Sequence, residues 1–263
     1  MEKENVDGII LVLSCQKHIN TRLKQCSLRE VYNNWKIVYV IGDLFLDANY
    51  KLGKNFLTIK CEDSYIHLFK KLVLALKYVY EIFEIKEGVL RCGDDLIFNE
   101  KILNGFLSMA DKPDFIGLCY HHINLNPKDI TPQLLQSVCV DDFMVEYYST
   151  HSEDFENPQH GLTGIDISKY VRRPFMFNFH VFGVVYYISN TSCKILIDHM
   201  EAINFDIFHL DPQTKSYPYT IEDCASSFIL FKNGIGLVHE PYMYSDIPSN
   251  IDKVLAVHTN LNK

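Results

Sequence analysis

The segment Arg91-Cys92-Gly93-Asp94-Asp95-Leu96-Ile97-Phe98 sets two adjacent carboxylates between apolar flanks. Like charges held together need a cation or solvent nearby. Mg²⁺ and Mn²⁺ meet that need, because they take hard oxygen ligands and bind one or two carboxylates together with substrate phosphates. A solvated Asp-Asp turn or a helix N-cap, where Asp is favoured, is the plain alternative. A second acidic pair, Glu222-Asp223, stands with Thr220 at the head of an apolar stretch and has the residue types of a helix start. His258 lies in the apolar run VLAVHTN, a setting typical of a structural histidine. The cysteines at 15, 26, 61, 92, 119, 139, 193 and 224 contain no C-x-x-C pair. Most lie in apolar runs and read as buried, reduced thiols in a reducing compartment.

The elements that must position these residues follow from hydrophobic pattern. Gly8–Ser14 is a continuous apolar run, as expected of a strand buried on both faces. Residues 19–34 carry Leu23, Cys26 and Val31 among polar residues and suit an amphipathic helix. KIVYVIGD (36–43) is a second buried strand ending in a turn signal, and 44–60 is a loop with a short strand, NFLTIK. In 63–84 Tyr65, Leu68, Leu72, Ala75, Leu76 and Val79 recur at helical spacing. GVLRCGDDLIFN (88–99) is a strand running into the acidic turn; KILNGFLSMA (101–110) is helical and DFIGLCY (114–120) is a strand. Residues 121–175, with His121, His122, His151, His160 and several prolines, read as long functional loops. Order returns with the strand HVFGVVYYIS, the helix SCKILIDHM, the helix TIEDCASSFILFKNG stopped by Asn-Gly, and the strands IGLVHEPYMYS and KVLAVHTNL. This alternation predicts an α/β fold with an open sheet flanked by helices. Ligands of such sheets bind beyond the carboxyl ends of the strands, where the acidic turn falls.

Composition narrows the function. The 263 residues hold 25 Lys plus Arg against 33 Asp plus Glu, a formal charge of −8, with 48% hydrophobic and 22% charged residues. That is globular usage, and it excludes a disordered chain. The negative balance argues against a general nucleic-acid binder, which needs a basic face. The apolar run IILVLSC is too short to span a bilayer, and no segment approaches ~20 uninterrupted apolar residues. It also lacks the flanks of a signal peptide. A cytoplasmic protein, or a catalytic domain trimmed of its anchor, is expected; the Lys-, Asn- and Ile-rich usage suggests a bacterial or large-virus origin.

Several blocks, in order, resemble the β1,3-glycosyltransferase family, which contains β1,3-galactosyltransferases and Fringe-like enzymes. Ser27-Leu28-Arg29-Glu30-Val31-Tyr32 resembles the family's A-I-R-x-T-W helix, and Tyr39-Val40-Ile41-Gly42 its F-L-L-G strand. Asp63-Ser64-Tyr65 with Leu68 and Lys71 is similar to D-S-Y-x-N-L-T-x-K-T. Gly93-Asp94-Asp95 falls on the D-D-D motif, followed by Phe98 and Asn99 near its V-F-V-N tail. His180–Ser189 resembles Y-x-x-G-G-G-Y-x-x-S, Glu222-Asp223-Cys224 falls on E-D-V, and Val257-His258-Thr259 on a late V-H-S.

The resemblance implies a GT-A fold: a Rossmann-like open mixed sheet flanked by helices, one catalytic domain over 1–263. About 1–120 would be its nucleotide-sugar-binding half and about 121–263 its acceptor-binding and catalytic half. It implies inverting transfer of a hexose or N-acetylhexosamine from a UDP-sugar to a hydroxyl of a glycan or glycoprotein, with Mn²⁺ or Mg²⁺ as cofactor. Asp95 and His258 would hold the metal. Asp94 would contact the nucleotide sugar or a metal-bound water. Asp223 would be the general base, with Glu222 touching sugar or acceptor. Ser14 would offer backbone contacts to the nucleotide base, Asp63 would serve the uracil or cap a helix, and Arg29 and Lys71 would lie near the nucleotide. Gly93 departs from the family, which has a third Asp there to grip the ribose. Rival readings are a retaining GT-A transferase, a nucleotidyltransferase, and a non-catalytic relic of such a scaffold that only binds a nucleotide sugar.

Overall fold

The computed structural model describes residues 3–25, 28, 31–139, 141–170 and 179–258. In chain order the strands and helices are β1 (Glu4–Leu13), α1 (Arg22–Gln25), β2 (Val31–Tyr32), β3 (Trp35–Gly42), β4 (Tyr50–Leu52), β5 (Phe56–Ile59), α2 (Leu68–Ile82), β6 (Phe83–Gly93), β7 (Leu96–Phe98), α3 (Glu100–Leu107) and β8 (Phe115–Cys119). They continue with α4 (Pro132–Ser137), α5 (Asp142–Thr150), β9 (Val181–Ser189), α6 (Asn190–Ala202), α7 (Glu222–Lys232), β10 (Val238–His239), β11 (Tyr244–Ser245) and β12 (Ala256–His258).

The main sheet runs β10-β8-β9-β6-β1-β3-β5-β4, with β2 alongside β3. Its centre is parallel: β1 pairs β3 and β6, and β3 pairs β5. β9 runs antiparallel between β6 and β8, and β4 is antiparallel to β5. The open mixed α/β sheet expected of a GT-A fold is therefore the observed architecture.

Burial on both faces explains the unbroken apolar run of β1. Val6, Ile9, Leu11 and Leu13 enter one core, beneath α2, α6 and α7. Ile10 and Val12 enter the other, with α3 and a small second sheet. Successive side chains point to opposite faces of a strand, so both parities must be apolar. The second sheet, β11-β12-β7, pairs β12 antiparallel to β7 with His258 opposite Leu96.

Three expectations need correction. Residues 19–34 are not one helix. Among the described residues of this stretch helix is confined to Arg22–Gln25, and Asn33 and Asn34 (φ 43° and 66°) turn β2 back onto β3. Asn tolerates the left-handed region better than other residues with a Cβ, which suits it to such hairpin turns. The helix expected over 63–84 begins only at Leu68, preceded by a turn in which Ser64 Oγ accepts from the His67 N–H. Nor is 121–175 all loop. It contains α4, capped by Thr131 Oγ1 on the Leu134 N–H and opened by Pro132, and also α5. Proline in the first turn begins a helix instead of breaking one.

Cys61, Cys92, Cys119, Cys139, Cys193 and Cys224 are buried, and Cys15 is partly so. Cys26 lies outside the described residues. No described helix is long and apolar enough to cross a membrane.

Candidate active site

Strand register assembles the acidic turn. β1 and β6 are parallel neighbours with Leu13 beside Gly93, so the residues that follow each strand emerge together. Ser14 Oγ donates to Asp94 Oδ2 at 2.6 Å. The loop after β1 then brings His18 Nδ1 to 2.7 Å from the same oxygen, and Arg22 Nη1 to 3.3 Å from Asp94 Oδ1. Asp94 is 7% exposed and is held from both oxygens.

Asp95 is more open. Its Oδ2 lies 3.2 Å from Arg22 Nη1, and its Oδ1 lies 3.9 Å from His258 Nε2. The pairing of β12 with β7 delivers His258, since residue 258 faces Leu96 directly after the acidic turn. Tyr244 Oη is 2.7 Å from His258 Nδ1 and also hydrogen-bonds Asp246, which fixes the imidazole from behind. A side chain at Gly93 would begin 3.1 Å from Asp95 Oδ1. Any side chain larger than hydrogen at this position would thus crowd that oxygen.

Carboxylate with imidazole is a donor set acceptable to Mn²⁺, and a closing of about 1 Å would bring the two atoms from 3.9 Å to the ~3 Å that separates neighbouring ligands of a six-coordinate ion. Asp95 and His258 therefore fit the expected metal. A second group of potential ligands, His180, Asp223 and Cys224, has its ligand atoms within 4.8 Å of one another. Burial raises the Cys224 thiol well above its ordinary range, with Asp223 beside it.

The second acidic pair divides its tasks. Neither carboxylate supplies the N-cap of α7, which is Ile221 without a side-chain bond. Glu222 points inward, with Oε2 2.7 Å from Arg91 Nη2, and accepts from the hydroxyl of Tyr186. Burial pushes its carboxyl up to about 7 against the pull of Arg91. Arg91 also donates to the carbonyls of Gly183 and, at 3.2 Å, Val184. This buried knot clamps the start of α7 to β6 and β9. Asp223, one residue on, is partly exposed; its Oδ2 accepts from the Gly183 N–H at 2.9 Å and its Oδ1 from the Cys224 N–H at 2.8 Å. His180 Nε2 lies 3.9 Å from Asp223 Oδ2. A Cβ at position 183 would sit 2.7 Å from Asp223 Oδ2, so a larger residue there would have to push the carboxylate aside.

The remaining expected residues form a strut beneath the site. Asp63 does not cap α2. Its Oδ1 accepts from the Gly42 N–H (3.0 Å) and Lys71 Nζ (2.5 Å), and its Oδ2 from the Gln16 N–H (2.8 Å). Lys71 is 1% exposed and also donates to the Ser14 carbonyl at 2.9 Å, so it belongs to no solvated face. The Ser14 N–H donates to the Val40 carbonyl at 2.9 Å. The backbone of Ser14, expected to meet a nucleotide base, is thus committed to the fold, and its hydroxyl anchors Asp94 instead. Arg29 lies outside the described residues. The arginine that touches both carboxylates of the turn is Arg22, and sequence reasoning missed it together with His18. The available signal was the position of these basic residues just past the carboxyl end of the first strand.

No protein-family model matches the chain. No curated protein matches it by sequence. The motif order that suggests the β1,3-glycosyltransferases is therefore not matched by a whole-family likeness. Among solved structures, apo mouse xyloside xylosyltransferase 1 aligns over 98% of this chain and 98% of its own, at 7% identity and a TM-score of 0.41.

Proposed function

We propose that the chain is a single-domain GT-A glycosyltransferase that moves a hexose or N-acetylhexosamine from a UDP-sugar to a glycan hydroxyl with inversion. The observation that carries the reading is the meeting of Asp95 and His258 across 3.9 Å at the carboxyl end of β6, from segments far apart in the sequence. In this reading Asp95 and His258 hold Mn²⁺ or Mg²⁺. The ion, when bound, would offset charge on the departing diphosphate.

The chain's own residues do the rest. Arg22 adds positive charge beside both carboxylates, where the diphosphate would lie. Asp94, tied to Ser14, His18 and Arg22, holds the loop after β1 against the acidic turn. Asp63 and Lys71 support that loop from below. Asp223 takes the acceptor's proton as its oxygen attacks the anomeric carbon; the bond from that carbon to the diphosphate breaks, and its electron pair leaves with the diphosphate. Glu222, through Arg91, keeps Asp223 aimed.

Arg22 favours a second reading, in which its guanidinium replaces the ion and transfer needs no metal. A screen of UDP- and GDP-sugar hydrolysis with Mn²⁺, and again with EDTA, tests both. Hydrolysis of a UDP-sugar that EDTA abolishes supports the first reading, hydrolysis indifferent to EDTA the second, and no hydrolysis of any sugar nucleotide would overturn both.

A further inference from the structure

Between the two acidic centres runs a row of aromatic rings that the chemistry above leaves unused. Tyr120 follows β8 and Phe182 is the second residue of β9; the antiparallel pairing of Cys119 with Val181 sets them side by side. Their rings are 7° from parallel with centroids 5.7 Å apart. His180 continues the row beyond Tyr120 (6.2 Å, 25°), and Tyr244 continues it beyond Phe182 (6.4 Å, 25°). One end of the row is tied to Asp223, which faces His180 at 3.9 Å and is bonded to the N–H of Gly183, next to Phe182. The other end is tied to His258, through the Tyr244 hydroxyl at 2.7 Å.

Rings stacked only for stability are covered. Here Tyr120 is 50% exposed, and Phe182 is only partly buried. The polar atom at this edge is also unusual. Nδ1 of His180 is buried and has no hydrogen-bond partner among the described residues. The imidazole itself is partly exposed, and its other nitrogen, Nε2, faces the Asp223 carboxylate, so the polar edge of the row lies on the Nε2 side of the ring. A pyranose ring offers the matching chemistry: an apolar face of C–H groups for an aromatic plane, and a rim of hydroxyls for polar groups beside it.

We propose that Tyr120 and Phe182 form the platform for the acceptor's pyranose ring, with His180 at its polar edge. The platform takes the acceptor in preference to the donor sugar because Tyr120 and His180 lie at the Asp223 end of the row, away from Asp95. The assignment of the ring to the acceptor rests on Asp223 being the base; the recognition of a pyranose does not.

Saturation-transfer NMR on the full chain with methyl β-glucoside, β-galactoside, β-N-acetylglucosaminide and β-xyloside tests the platform directly, beside a UDP–Mn²⁺ titration of the same samples. The wild type should receive saturation at the C–H face of at least one pyranoside. Tyr120→Ala should weaken that binding at least tenfold, Tyr120→Phe should restore it to within about threefold, and UDP affinity should be unchanged in both. Absence of pyranoside binding to the wild type, or equal binding by Tyr120→Ala, would overturn the platform. So would loss of UDP affinity in step with loss of pyranoside binding, which would assign the ring to the donor. Pyranoside binding without UDP binding would support the platform while the transferase reading fails.

Discussion

Arg22 engages Asp95 through one carboxylate oxygen only: Nη1 stands 3.2 Å from Oδ2, leaving Oδ1 turned toward His258 Nε2 at 3.9 Å. The same nitrogen reaches Asp94 at 3.3 Å, so one guanidinium braces both acids of the turn. Arg22 sits on a four-residue helix at the edge of the site and is not part of the core. Arg22→Ala should therefore weaken UDP binding by about tenfold, the worth of one charge-assisted hydrogen bond. The melting midpoint should move little, since a partly exposed ion pair contributes about 0–1 kcal/mol. Isothermal titration with UDP, beside a thermal melt, checks both statements.

Gly183 gives a test of the base that leaves every ionisable group in place. A methyl group at this position would start 2.7 Å from Asp223 Oδ2 and displace the carboxylate from its hydrogen bond. Gly183→Ala should lower the transfer rate by roughly 10²-fold, and Asp223→Asn by 10²–10⁴-fold, the usual contribution of a general base. UDP affinity should persist in both. Transfer by Asp223→Asn at the wild-type rate would remove Asp223 from the mechanism.

Arg91 and Glu222 are each nearly inaccessible, and each is the other's charge partner. Removing one partner of a buried pair leaves an uncompensated charge and costs about 3–5 kcal/mol. Glu222→Ala should show that loss in urea denaturation. The double variant Arg91→Met, Glu222→Ala should recover part of it, because no charge is then stranded. If Glu222→Ala unfolded like the wild type, the clamp on α7 would be wrong.

Acid should destabilise the fold partly through His67. This residue is 2% exposed, its Nδ1 is 2.8 Å from Ser64 Oγ, and burial lowers its pKa from 6.5 to about 4. Between those values the unfolded chain binds a proton that the folded chain does not. Stability due to this group is thus full above pH 6.5 and is lost as pH falls toward 4, at about 1.4 kcal/mol per pH unit. His199, lowered likewise to about 4, acts in the same sense; Glu222, raised to about 7, opposes them between pH 4.5 and 7. The difference in unfolding free energy between wild type and His67→Gln isolates the first effect. It should shrink as pH falls through this window.

Much of the framework was legible because period and burial coincide. The two-sided burial of β1, the helical spacing of α2 and the acidic turn closing β6 are all local patterns. The site was legible only where a motif marked it. No periodicity reveals that His258 faces Asp95; that depends on β12 pairing with β7 in a separate small sheet. Arg22 and His18 were missed because a polar stretch with scattered apolar residues imitates an amphipathic helix, whereas Asn33 and Asn34 close a hairpin instead. Lys71 and Asp63 carry charge, which suggests solvent, yet they meet each other inside the fold. Long-range pairing of charges is set by topology, and sequence pattern does not encode it locally.

The most direct test of the central claim is calorimetric titration of UDP into the wild type and into Asp95→Asn, each with Mn²⁺ and with EDTA. The account predicts that wild-type binding requires Mn²⁺ and that Asp95→Asn abolishes the requirement together with most of the affinity. Binding of equal strength in all four titrations would contradict a metal-assisted nucleotide site at Asp95 and His258.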